Sequence, residues 1–353
     1  MSDTQYDAKT GFGRVWRFCI ALPLVLWLAG CATLNPAPSD YELRERTTRY
    51  IRAAARFPDD PAVRAQAMES ISDVLGTDGS LLLREGLVDE HPVVRFASCM
   101  ALGQLADRDA RAAVQSLVND PDGSVRVAAY FALERMGDLS HRMTWRDALV
   151  RNEDPVVRRN AALALGRLHN KDVIPLLNKV MADDDDDGVR IQALEALAFL
   201  GEPYAINRFI HDAYGGIGFK QPFALLTLGH VTGEQALGAL RTRLEGAPYL
   251  EAKLAAARGL GMHGYHDGYE LALKSLTWNK PKEGLRDDPP ATQIMRVRSM
   301  AAMALGDIGK REALGPLYHR METDTDPRVQ LAAATAVLMI LDKSPAELLS
   351  VGR

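Results

Sequence analysis

The chain has 353 residues, of which 47% are hydrophobic, 25% charged and only 7% aromatic, and its net charge is −4. This composition excludes a disordered, collagen-like or polytopic membrane chain, and the lack of a net basic field argues against a nucleic-acid partner. Three cysteines cannot make a disulfide framework, and the Ala- and Leu-rich, aromatic-poor make-up favours helix packed on helix over a β-sandwich.

The first predicted element is an export label. Lys9, Arg14 and Arg17 precede an apolar run from Phe18 to Ala29. A basic stretch followed by about a dozen apolar residues is secretory-signal grammar, and the run is short for a membrane span. It ends in Leu28-Ala29-Gly30-Cys31. These four residues resemble the lipobox of bacterial lipoproteins. The resemblance implies cleavage after residue 30, lipid on Cys31, and a membrane-tethered protein of the cell envelope. Ala32 follows in place of Asp, which by the same resemblance implies the outer membrane facing the periplasm in a Gram-negative source. Residues 31–40, with Pro36 and Pro38, read as a lipidated tether.

From Tyr41 to Leu341 the chain repeats itself. Asp60-Pro61-Ala62-Val63-Arg64 returns as Asp154-Pro155-Val156-Val157-Arg158, followed by Ala161-Ala162 and Ala164-Leu165-Gly166. With the Arg as marker the series runs Arg64, Arg95, Arg126, Arg158, Arg190, Gln221, Lys253, Arg298 and Gln330. The intervals are 31 or 32 residues, except for one of 45. A fixed period of this length signals a solenoid.

The consensus D-P-x-V-R-x-x-A-A-x-A-L-G is similar to the short HEAT-like repeat of the phycobilin lyases. The resemblance implies an all-α α-solenoid of about nine HEAT-like helical repeats. Elementary chemistry agrees at each position. Asp caps orphan amides and Pro sits where no donor is needed. Val63, Ala67 and Ile71 form a stripe at i, i+4, i+8, and Ala or Gly lets helices cross closely. The second helix of each repeat therefore lines an inner face, and the array is expected to form a curved rod of roughly 80 Å. The marker Arg is expected to pair with the Asp of an adjacent turn. Residues 342–353 read as a tail or capping helix.

Motifs that carry chemistry are sparse. His263-Gly264-Tyr265-His266 is the one close histidine pair, and no carboxylate or cysteine set accompanies it. No His-Glu dipeptide of the kind used by the HEAT-like deoxyhypusine hydroxylases occurs. Asp183 to Asp187 lacks the Gly and distal Glu of a calcium loop and reads as an N-cap. Cys99 occupies the core Ala register. Gly215-Gly216-Ile217-Gly218 has no preceding strand and reads as a turn. No catalytic residue, metal site or cofactor is expected from these patterns.

Two surfaces remain. Positions five and nine past the marker face away from the core stripe. They place Met100, Phe131, Leu163, Phe199 and Leu226 on the inner face as apolar anchors, with Arg135 and Arg167 giving polarity. These seven form a candidate groove for a protein or peptide partner. The alternative is tight curvature, with the same side chains packed on one another. The other surface is the long interval, whose extra length lies in residues 277–292. Trp278 in it either anchors an interface or closes a helix.

These features add up to a non-enzymatic, lipid-anchored scaffold in the bacterial envelope, bound to the membrane through Cys31. The alternative is an accessory enzyme or cofactor-handling protein similar to the phycobilin lyases. A third is envelope assembly without a dedicated ligand.

Overall fold

The Asp-Pro turns start helices as their chemistry dictates. In a computed structural model, which describes residues 38–215 and 220–343, the carboxylates of Asp60, Asp154 and Asp326 each accept a hydrogen bond from the amide two residues on, at 2.8, 2.8 and 2.9 Å. The following Pro takes the first helical turn. Ser39 opens the array with a capping box closed by Glu42.

Eighteen α-helices result, in nine pairs, with no strand among the described residues. The pairs are α1 (Asp40–Ala54) with α2 (Pro61–Val74), α3 (Ser80–Gly86) with α4 (Pro92–Leu105), and α5 (Arg111–Ser116) with α6 (Gly123–Arg135). Next come α7 (Arg142–Arg151) with α8 (Pro155–Arg167), α9 (Ile174–Asp183) with α10 (Asp187–Phe199), and α11 (Pro203–Gly215) with α12 (Lys220–Gly229). The last are α13 (Glu234–Gly246) with α14 (Leu250–Met262), α15 (Tyr269–Ser275) with α16 (Pro290–Ile308), and α17 (Leu314–Thr323) with α18 (Pro327–Asp342). The even-numbered helices carry the repeat motif and pack on one another in sequence.

Two kinds of fastener recur at the seams between even-numbered helices. One is the marker Arg. Arg64, Arg95 and Arg158 form two-pronged pairs with Asp89, Asp120 and Asp184 in the following turn, at 2.8–2.9 Å. Arg298 reaches Asp324 at 3.0 Å. The other fastener is a glycine eight residues past the marker. A Cβ added at Gly166 would sit 2.8 Å from the Cα of Ala196, so only glycine lets α8 and α10 come this close. Gly103, Gly229, Gly261 and Gly306 do the same for their own seams.

The array does not remain an open rod. Helix α18 packs on α1 and α2 as each even-numbered helix packs on the next repeat, so the nine pairs close into a ring. Leu43, Thr47, Ile51 and Ala54 are the buried stripe of α1. Polar contacts stitch the closure: Arg44 to Asp342 at 2.6 Å, Arg311 to Asp40 at 2.6 Å, and Arg46 to the Tyr318 hydroxyl at 2.8 Å. Tyr50 donates to Gln330, the residue that departs from the marker Arg, at 2.8 Å. In the buried interior of this seam the Thr335 hydroxyl donates to that of Ser70 at 2.9 Å. The expected 80 Å rod is thus corrected: the small rotation of each repeat accumulates until the first and last repeats meet.

Candidate functional site

Closure changes what the inner face can offer. Phe131 is fully buried and Met100 nearly so. The Phe131 ring lies in the seam between α4 and α6, where a Cβ on Gly103 would strike it at 2.7 Å. Leu163, Phe199 and Leu226 are half-buried. Phe199 meets His230 edge-on at 5.5 Å. Arg135 donates to the carbonyls of Gly103 and Gln104, closing the end of α4. Arg167 is exposed on α8. The side chains that were expected to form one groove are thus distributed around a ring and partly consumed by its seams.

Trp278 is half-buried against the core, and its carbonyl accepts from Arg298 at 3.0 Å. The long loop around it is pinned by Gln293, which bonds both backbone groups of Lys282 and the carbonyl of Asp288. The buried Cys99 thiol is pushed well above its ordinary range by desolvation, which suits packing and not nucleophilic attack. In the acidic run, Asp186 caps α10 and Asp184 receives Arg158, which holds the Asp184 carboxyl below the usual range. Cys31 and residues 1–30 lie outside the described residues, as does the chain beyond Lys343.

The lumen carries charges. Glu69 and Asp73 project from α2, one turn apart, and Glu195 from α10. Desolvation raises all three carboxyls, and Arg167 on α8 partly offsets this. Arg258 on α14 donates to Asp307 on α16 at 2.8 Å. Burial, then Arg258, lowers the His230 imidazole.

A different feature stands out where the repeat pattern fails. Between α10 and α12 the marker is Arg190, whose carboxylate partner is Asp187 of its own helix. The position eight past it is Ala198, not glycine. Here α10 and α12 pack sparsely; Phe199 meets His230, just past the end of α12, and the Thr227 hydroxyl donates to Glu195 at 3.3 Å. The gap leaves a cleft of about 690 Å³ between α9–α10 and α11–α12. Its apolar wall includes Ile191, Leu194, Phe209 and Phe223. Phe209 and Phe223 meet edge to face at 5.9 Å. Arg190, Arg208 and Lys220 bring positive charge to the cleft, and Asp212 lies 3.4 Å from Arg208. An apolar cleft of this size with a few convergent charges is the usual form of a small-molecule site. Sequence reasoning passed over it, although the irregular sixth repeat, with Gln221 for the marker, was the signal.

A model for HEAT repeats matches residues 80–143, 142–211 and 282–350, more than half of the chain. A curated relative, the bilin biosynthesis protein MpeU of Synechococcus sp. (strain WH8020), is 24% identical over 120 residues. The match covers 33% of this chain and 40% of that protein, so the chain spans about two fifths of the length of the relative it matches. Among solved structures, the CpcE–CpcF complex of phycocyanin lyase from Nostoc sp. PCC7120 is 19% identical with a TM-score of 0.42. It covers 76% of this chain and 97% of that one. Human deoxyhypusine hydroxylase is 17% identical with a TM-score of 0.37, covering 84% and 96%. These likenesses concern fold. The relative corrects the functional expectation: a chain similar to a bilin biosynthesis protein is not to be read as a non-enzymatic scaffold merely because it lacks local catalytic motifs.

Proposed function

We propose, for a chain that belongs to the HEAT-repeat family, that it is an accessory enzyme or cofactor-handling protein similar to the phycobilin lyases, and that it holds a linear tetrapyrrole in the cleft between α9–α10 and α11–α12. The observation that carries this reading is the chemistry of the cleft walls. A bilin is a conjugated apolar ribbon with two propionates and a row of ring N–H donors. Phe209 and Phe223 offer aromatic faces, Arg190, Arg208 and Lys220 would hold the propionates, and Asp212 would accept from ring nitrogens. The volume of about 690 Å³ suits a ligand of that class. The similarity to a bilin biosynthesis protein supports the same assignment.

Titration with biliverdin, followed by its visible absorbance, tests the reading. Saturable spectral change is expected, with Phe223→Ala and Arg208→Gln each weakening binding by roughly tenfold. Absence of any spectral change in the unaltered protein, or variants that bind as it does, would refute the assignment.

The address is a separate proposal. The basic stretch, the apolar run and the Leu28-Ala29-Gly30-Cys31 match support a lipid on Cys31 and an envelope location, on the outer membrane facing the periplasm in a Gram-negative cell. A Cys31→Ser protein that still fractionates with membranes would argue against it.

A further inference from the structure

The two walls of the cleft are joined differently at its two edges. Between the even-numbered helices the buried Thr227 hydroxyl donates to Glu195 at 3.3 Å. Between the odd-numbered helices the contact is exposed: the Tyr204 hydroxyl of α11 donates to Oδ1 of Asn178 on α9. No other hydrogen bond or ion pair joins α9 to α11 among the described residues. Tyr204 itself lines the cleft, and it is 41% exposed. The other two rings of the wall are held in place, since Phe209 is buried and Phe223 lies against it edge to face at 5.9 Å. Tyr204 stacks on no other ring among the described residues. Once its hydrogen bond breaks, its side chain is free to turn into solvent.

We propose that Tyr204 gates the cleft: bonded to Asn178 it bars the passage between α9 and α11, and turned outward it admits a ligand. The inference rests on the reading of the cleft as a binding site. A hydrogen bond between exposed side chains is weak enough to break unaided, and rotamer exchange of an exposed side chain is fast beside ligand binding. Asn178 lies outside the cleft lining, so it acts on a ligand only through Tyr204. Neither residue is among the groups assigned to the bilin, so the bond forms with the cleft empty or filled. Losing it therefore speeds entry and exit alike and leaves the binding equilibrium in place.

Two measurements on the full chain test the gate. In the first, Leu194→Cys places a thiol in the cleft wall, and its labelling by fluorescein maleimide in the ligand-free protein is followed at that peptide by mass spectrometry. Adding Asn178→Ala or Tyr204→Phe should speed the labelling by roughly threefold or more. In the second, stopped-flow absorbance follows biliverdin. Asn178→Ala should raise the association and dissociation rates by that same factor and leave Kd within about twofold of the parent. Thermal unfolding of the variants confirms that they fold. If biliverdin leaves the parent spectrum unchanged while labelling responds, the bilin assignment fails and the gate stands. Labelling and binding rates that stay at parental values in the folded variants overturn the gate. An Asn178→Ala protein whose affinity falls at an unchanged association rate overturns it too.

Discussion

Helix α10 meets two neighbours in two different ways. Toward α8 it is fastened twice: Gly166 lies against Ala196, and Arg158 grips Asp184 with both prongs. Toward α12 it has neither fastener, because Arg190 turns back to Asp187 and the glycine slot holds Ala198. The same repeat therefore yields a dense seam on one side and a cleft on the other. The comparison sets a seam that carries both fasteners against one that carries neither and borders a cleft.

The comparison can be broken most severely at the ion pairs. Arg158→Ala leaves Asp184 nearly buried and unpaired, and should cost about 3–5 kcal/mol in a urea unfolding experiment. Arg190→Ala, whose partner Asp187 is 81% exposed, should cost less than about 1 kcal/mol. Equal losses at the two sites would refute the idea that the seams differ. Gly166→Val forces a branched side chain onto Ala196 and should destabilise by about 1–3 kcal/mol, with the loss visible as a lower denaturation midpoint. Hydrogen exchange sharpens the contrast without mutation: amides of α11 and α12 should exchange at least roughly tenfold faster than those of α8 and α16. Protection that is uniform around the ring would contradict this ranking.

The smallest effect concerns the lumen. Desolvation raises the Glu69 and Asp73 carboxyls, so the folded state holds protons there more readily than the unfolded chain. Their ionisation therefore erodes stability as pH rises through the raised folded value, and the cost disappears below the ordinary carboxylate range of about 4. Replacing both by amides should raise Tm at neutral pH, on the order of 2 °C, and leave it unchanged in acid. A gain that persisted below that range would show that something other than charge was removed.

Much of this was legible in the sequence, for a reason visible at individual residues. The Asp-Pro turn, the marker Arg and the Ala stripe each act within one repeat or between neighbours, so a period of 31 or 32 residues exposes them directly. Closure was not legible. It depends on a rotation too small to be read from any one repeat, and the pairing of Tyr50 with Gln330 spans 280 residues. That is why Phe131 and Met100, expected either as groove anchors or as packed by tight curvature, are found buried in the core. The cleft escaped notice for the opposite reason, since it is made by residues that depart from the pattern, and a search for motifs does not find what a motif has lost.

A ring has an arithmetic that an open solenoid lacks. Nine pairs that return to their start each turn through about 40° on average. Adding a tenth unit, or deleting one, would leave α1 and α18 facing each other out of register, and would strand the Arg44–Asp342 and Asp40–Arg311 pairs. Open arrays lengthen and shorten freely by duplication; in this chain unit number is a conserved quantity of the geometry. The 13-residue excess in the one long interval is correspondingly taken up within its repeat, by the loop after α15 and an α16 that begins eight residues before its marker, not as a fraction of a turn.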